Sequence, residues 1–342
     1  MARKTSPLIL GFLALTTGAS VAFFMPFVPT IATAKTINIS VTSTSIDQFY
    51  LTSTTNKVGK LEFIGGLQIE SESKLFGGFS GLAIKENGLK LITVSDTANW
   101  LTANLLRNEA GKLTGIKNTN ISCLCRSNGK PYGGKHMGDA ESLVINGKLA
   151  HVSFEGANRI NTYDLDKHYV PSNARQATPS FKPYKLSGRK GLEALALAPK
   201  TSPIAGKFLT IAEESLNAKG DHRAFITGKS KIEELSITAT NDYQITDAEF
   251  LENGDLLILE RKLGLIIDLG IRVRRFKADT IAPAKTLSGE ILFESGITSQ
   301  IDNMEGLAAW KNSKGETILT LISDDNFARF QRTILLEFKL PN

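Results

Sequence analysis

The sequence predicts an all-β fold: a β-propeller of four-stranded blades, closed by pairing of its N- and C-terminal strands. Three observations carry that expectation. Short apolar runs bounded by turn residues fill the chain, and no long stretch keeps a helical period. One segment pattern returns five times, at spacings of 61, 52, 56 and 56 residues. Strand-like sequence is also left over at both ends, which together can complete one blade and protect the edges of the ring.

The repeats are legible in order. They begin Phe79-Ser80-Gly81-Leu82-Ala83-Ile84, Ala140-Glu141-Ser142-Leu143-Val144-Ile145 and Leu192-Glu193-Ala194-Leu195-Ala196-Leu197, then Ala248-Glu249-Phe250-Leu251 and Met304-Glu305-Gly306-Leu307-Ala308-Ala309. A turn and a second apolar run ending in an acid follow each: Leu91 to Asp96, Leu149 to Glu155, Phe208 to Glu213, Leu256 to Glu260 and Ile318 to Asp324. Asn87-Gly88, Asn146-Gly147, Asn253-Gly254 and Lys314-Gly315 supply hairpin chemistry between the runs. Each unit is therefore a hairpin plus roughly 30 residues, enough for two more strands. Periods of this length mark a propeller. A row of separate domains is disfavoured, because 55-residue units of plain strand make marginal domains. The last unit takes Thr333 to Leu340 as its third strand and Leu61 to Ile69 as its fourth. Five repeats are counted and six left open, residues 36–76 holding no strands that match the pattern.

Residues 1–34 read as a signal peptide. Arg3 and Lys4 precede an uncharged stretch from Leu8 to Val28, and Ala32-Thr33-Ala34 has the small residues a signal peptidase reads. Cleavage after Ala34 and a periplasmic or secreted location are expected, with residues 35–342 as one domain and a retained N-terminal anchor as the alternative. Cleavage leaves no membrane span, and a monomer is expected. It also reduces the formal charge from +6 to +4. The remaining basic residues are scattered. The densest group, Arg272 to Lys277, reads as a solvated strand face without stacking aromatics, so no nucleic-acid partner is expected. Cys123 and Cys125 would meet in an oxidising compartment and favour a small-ring disulfide, to which no function attaches.

In this alignment Glu141, Glu193, Glu249 and Glu305 begin innermost strands, while Asp96, Glu155, Glu213, Glu260 and Asp324 end the neighbouring ones. Roughly nine carboxylates would then crowd one channel mouth and raise one another's pKa values. Each acid taken alone is as well explained as a structural contact to the next blade. The set, with doublets at Glu213-Glu214 and Asp324-Asp325, favours a functional funnel. Hard cations would relieve the repulsion, and Ca²⁺ suits carboxylate ligands. Basic neighbours such as Arg159, Arg261, Lys262 and Arg332 are the other remedy.

Five segments are similar to signatures of the phytase-like family, also described as esterase-like activity of phytase. These are Gly77-Gly78-Phe79-Ser80-Gly81-Leu82, Asp139-Ala140-Glu141-Ser142-Leu143, Val152-Ser153-Phe154-Glu155 leading to Asn158-Arg159-Ile160, Asn303-Met304-Glu305-Gly306-Leu307, and Ser323-Asp324-Asp325-Asn326-Phe327 followed by Gln331-Arg332-Thr333. The resemblance spans residues 60–340 and implies an exported propeller that hydrolyses phosphate or carboxylate esters.

Three functions are compared. Metal-assisted phosphoester hydrolysis would use Ca²⁺ on Asp96, Glu141, Glu155, Glu193, Glu213, Glu249, Glu260, Glu305, Asp324 and Asp325. Glu141, Glu305 and Asp324 are its catalytic candidates, and Lys135, Arg159, Arg261 and Arg332 its binders of a small phosphorylated or ester substrate. Serine esterase chemistry at Ser80 fits less well, because Leu82 stands where the nucleophile elbow needs its last glycine. The alternative class is a non-catalytic propeller that binds a ligand or an envelope partner.

Overall fold

The structure, a computed structural model, describes residues 36–132, 135–176, 180–186, 190–228, 231–264 and 268–341. The expected signal peptide lies outside the described residues. Among the described residues no helix is long and apolar enough to cross a membrane.

Five sheets form the blades of a propeller. Their innermost strands are Phe79–Lys85, Ala140–Asn146, Leu192–Leu197, Gln244–Phe250 and Met304–Lys311. These define blades 1 to 5 around a central channel. The sheets hold four to six strands and are not uniformly four-stranded. In blade 5, Leu61–Glu70 pairs antiparallel with Thr333–Leu340, so the two ends of the chain close the ring. The segment before it divides between two blades: Ile37–Asn38 lies against Leu113–Cys123 in blade 1, and Thr42–Ile46 against Leu61–Glu70 in blade 5. Residues 36–76 thus cover edges and build no sixth blade.

The core is divided among the blade seams. In the seam between blades 4 and 5, Phe49, Phe63, Phe293 and Phe338 are fully or almost fully buried. The seam between blades 2 and 3 is lean, with Val144, Ile160, Phe181, Leu192, Leu195, Ala212 and Phe225 as its buried members. Toward the channel the inner strands pack backbone to backbone. A Cβ on Gly81 would lie 2.5 Å from Leu143 N, and one on Gly306 would lie 2.3 Å from Ser80 O. This close approach explains the small residue after the anchor in blades 1, 2, 3 and 5: Gly81, Ser142, Ala194 and Gly306. Blade 4 has Asp247 there. Its carboxylate accepts hydrogen bonds from Ser142 Oγ of blade 2 at 2.6 Å and from Leu307 N of blade 5 at 2.8 Å. One side chain thereby ties three blades together.

One expectation changes here. Arg272 and Arg274 do not form a solvated face. Both are buried, and both donate to the fully buried Glu260. Arg272 also stacks on Tyr243 at 4.1 Å. Cys123 and Cys125 form the expected disulfide, and both are buried.

Candidate functional site

A register irregularity near the start of each inner strand sets which side chains reach the mouth. The ladder skips a residue between Phe79 and Leu82, Ala140 and Leu143, Leu192 and Ala194, Ile245 and Asp247, and Met304 and Gly306. A bulge of this kind re-aims the extra residue at a channel rim. The equivalent positions are therefore Ser80, Glu141, Glu193, Thr246 and Glu305. In blade 4 the sequence alignment is off by three residues. Glu249 pairs with Leu257 beside the hairpin turn, at the far end of the channel. There burial raises its pKa to about 7, against the opposing charge of Lys85.

The second ring of positions follows the neighbouring strand. Asp96, Glu155, Glu213 and Asp324 each donate a backbone N–H to the segment just before their blade's inner strand, at 2.9–3.0 Å. In blade 4 this place belongs to Arg261, opposite Gln244. Glu260 faces the other way, into its arginine pair. Of the predicted acids, the structure brings Asp96, Glu141, Glu155, Glu193, Glu213, Glu305, Asp324 and Asp325 to the mouth, but not Glu249 or Glu260. Asp139, which sequence reasoning gave no role, joins them.

Three arrangements share the mouth. At blades 4 and 5, Arg261 bonds Glu305 and Asn303 on one side and reaches Glu213 at 3.5 Å on the other. Asn303 Nδ2 also donates to Glu305 at 2.8 Å, and Ser80 Oγ does so at 3.3 Å. Near blades 5 and 1, Lys135 bonds Asp96 at 2.5 Å. Burial works against the charge of Lys135, yet Asp96 and Asp139 outweigh it and hold its pKa above the ordinary lysine range. Asp325 accepts from Gly78 N, Phe327 N and Thr333 Oγ1, so it works as a brace for the loop.

The third arrangement is the concentrated one. Asp139, Glu141 and Glu155 bring carboxylate oxygens within 4.8 Å of one another, and Glu155, Glu193 and Glu213 do the same. Glu155 belongs to both groups, which bridge blades 2 and 3. Burial, reinforced by the neighbouring carboxylates, pushes Glu155 up to about 8 and raises Glu141 and Glu193 well above the usual range. Burial also pushes Asp139 up to about 7, against the charge of Lys135. Nearby, Asp139 Oδ1 and Asp96 Oδ1 are buried with no hydrogen-bond partner among the described residues. Clustered oxygen donors with unsatisfied buried atoms fit a hard metal cation.

Two expected anion binders stand apart. Arg159 stacks on Phe154 at 4.1 Å and donates to Met137 O. Arg332 is held by Gln300, Ile301 O and Asp302. Of the predicted cations, Lys135 and Arg261 meet the acids; Lys190, which sequence reasoning did not single out, lies 3.8 Å from Glu213.

Fold and site thus define a five-bladed propeller with a carboxylate-lined mouth. The chain belongs to the phytase-like family: the family profile, described as esterase-like activity of phytase, matches residues 74–327. No curated protein is matched by the chain. Among solved structures it is similar to the PQQ-bound aldose sugar dehydrogenase of Streptomyces coelicolor, at 12% identity and TM-score 0.40, covering 90% of this chain and 100% of that one. It is also similar to the α-L-arabinofuranosidase PaAbf62A of Podospora anserina in complex with cellotriose, at 9% identity and TM-score 0.44, covering 79% and 93%. At these values neither likeness bears on the chemistry of the mouth.

Proposed function

We propose that this chain is an exported ester hydrolase whose acidic mouth takes a divalent cation, Ca²⁺ being the best match, and hydrolyses a phosphate ester in preference to a carboxylate ester. The observation that carries this reading is the pair of carboxylate groups that share Glu155. Asp139, Glu141, Glu155, Glu193 and Glu213 would hold the ion. When bound, it supplies Lewis-acid charge to a phosphoryl oxygen and makes a water more acidic. Lys135 and Arg261 flank the acids from opposite sides and would orient the remaining phosphate oxygens. Serine chemistry draws less support, because Ser80 is buried and its hydroxyl is directed at Glu305.

The test is turnover of phytate and p-nitrophenyl phosphate by the protein without its leader, in Ca²⁺ and in chelator. Activity that needs the cation and falls at least about 100-fold in Glu155→Gln is expected. Turnover indifferent to both changes would overturn the assignment. Cation binding without turnover of either substrate would instead make the mouth the ligand site of a non-catalytic propeller.

A further inference from the structure

A second concavity opens at the opposite end of the ring. Hairpin turns of blades 1 and 5 and residues 47–56 enclose a cleft of about 790 Å³. That is ample for a small ligand, whose sites commonly hold about 300–1,000 Å³. Its chemistry is unlike that of the acid mouth. Four cationic and four anionic side chains line it, so the charges balance. Several of them are spent on ion pairs. Lys112 bonds Asp47 at 2.7 Å, and Lys339 bonds Glu62 at 2.7 Å. Arg107 makes a two-pronged pair with the buried Glu337 beneath the cleft, both contacts 2.7 Å long. A phosphorylated ligand would find little uncompensated positive charge there.

What remains is amide, hydroxyl and apolar surface. Gln48, Thr54 and Asn87 line the cleft beside Leu89, which is 49% exposed, and Trp310. The indole is half-buried and held in place. Its Nε1 donates to Thr320 Oγ1 at 2.9 Å, and the Arg107 guanidinium lies 4.8 Å from its ring centroid. The hairpin also closes against the ring at Gly88, where a Cβ would lie 2.2 Å from the indole. A fixed aromatic wall loses little freedom on binding. Beside uncharged donors and acceptors, it suits a ligand with hydroxyl edges and an apolar C–H face.

We propose that this cleft binds a neutral saccharide, at a site separate from the ester-hydrolysing mouth. Ligand-observed saturation-transfer NMR on the protein without its leader provides the test, with N-acetylglucosamine, maltose and chitobiose as probes and glucose 6-phosphate as the charged control. Saturable transfer is expected from at least one neutral sugar, with Kd on the order of 1 mM. Leu89→Asp places a charge on an exposed position that the fold tolerates, and should weaken binding at least about tenfold. Trp310→Ala should do the same, while Trp310→Phe keeps part of the affinity and Glu155→Gln leaves it unchanged. Three results would overturn the proposal: no transfer from any neutral sugar up to about 20 mM, transfer that persists undiminished in both Leu89→Asp and Trp310→Ala, or displacement of the sugars by glucose 6-phosphate at lower concentration.

Discussion

Arg261 shows how much one side chain decides at the mouth. It fills the place that carries an acid in the other four blades, and it separates Glu213 from Glu305. All three side chains are largely buried, so removing the cation strands two carboxylates away from water. Arg261→Ala should destabilise the fold by about 3 kcal/mol at pH 7.5. Denaturant titration of the variant beside the parent protein checks this. The shifted acids of blade 2 have their own signature. Burial pushes Asp139 up to about 7 and Glu155 up to about 8 in the fold, from 3.8 and 4.5 in the free groups. The folded state therefore holds more protons than the unfolded state between about pH 4 and pH 8. Stability from these groups is full below about pH 4 and falls as pH rises through 8. In chelator, the melting temperature should decline over that window, and Asp139→Asn with Glu155→Gln should flatten the decline.

At the scale of strands, position along a hairpin matters more than local resemblance. Counted from the hairpin glycine, Asp96, Glu155, Glu213 and Asp324 come 8, 8, 7 and 9 residues on, whereas Glu260 comes only 6 on and Arg261 comes 7 on. That count was available in the sequence and separates Glu260 from the ring. The inner-strand shift in blade 4 was harder to read. Ala248-Glu249 copies Ala140-Glu141 of blade 2, while the true bulge falls at Thr246, with no acid to mark it. Asp139 was visible as a residue two before Glu141, but only the fold of its loop turns it toward Glu155. Glu260 has acquired another task, anchoring Arg272 and Arg274 inside the sheet. Glu260→Ala leaves two buried guanidinium groups without their shared anion. It should cost about 3–5 kcal/mol in equilibrium unfolding, with Glu260→Gln less severe.

The whole ring has a lean seam and an acidic bridge in the same place. Blades 2 and 3 share the smaller apolar cluster described above, and the carboxylates of Glu155, Glu193 and Glu213 face one another across it. Without a cation, burial and the neighbouring carboxylates raise the pKa values of Glu155 and Glu193; a divalent ion would hold these carboxylates ionised and clip the seam. A divalent ion at about 100 times its Kd should stabilise the protein by about 2.7 kcal/mol. Calorimetry at pH 7.5 should show the melting temperature rising with Ca²⁺, and Glu155→Gln abolishing most of the rise. Closure makes a separate prediction. Leu61–Glu70 supplies a ladder to Thr333–Leu340 and buries Phe63 against Phe49 and Phe338. A chain starting after residue 70 should fail to give a cooperative thermal transition, because blade 5 would expose an apolar sheet edge.

The repeat, the hairpins, the pairing of the two ends and the family can all be read from the residues in order. These follow from local pattern: turn residues at fixed places, alternating apolar runs and a recurring signature. The sequence also announced that acids gather at one end, since periodic residues in a propeller return to the same radius. Which acids meet, and what balances them, depends on how the blades pack in three dimensions. Bulge register put Thr246 and Arg261 in blade 4 where glutamates were expected, sent Glu249 to the far end, and buried Glu260 between arginines. A one-residue change of register turns a strand's side chains to the opposite face. Near-identical segments can thus place the same residue type in a metal-ligating cluster or in a structural ion pair.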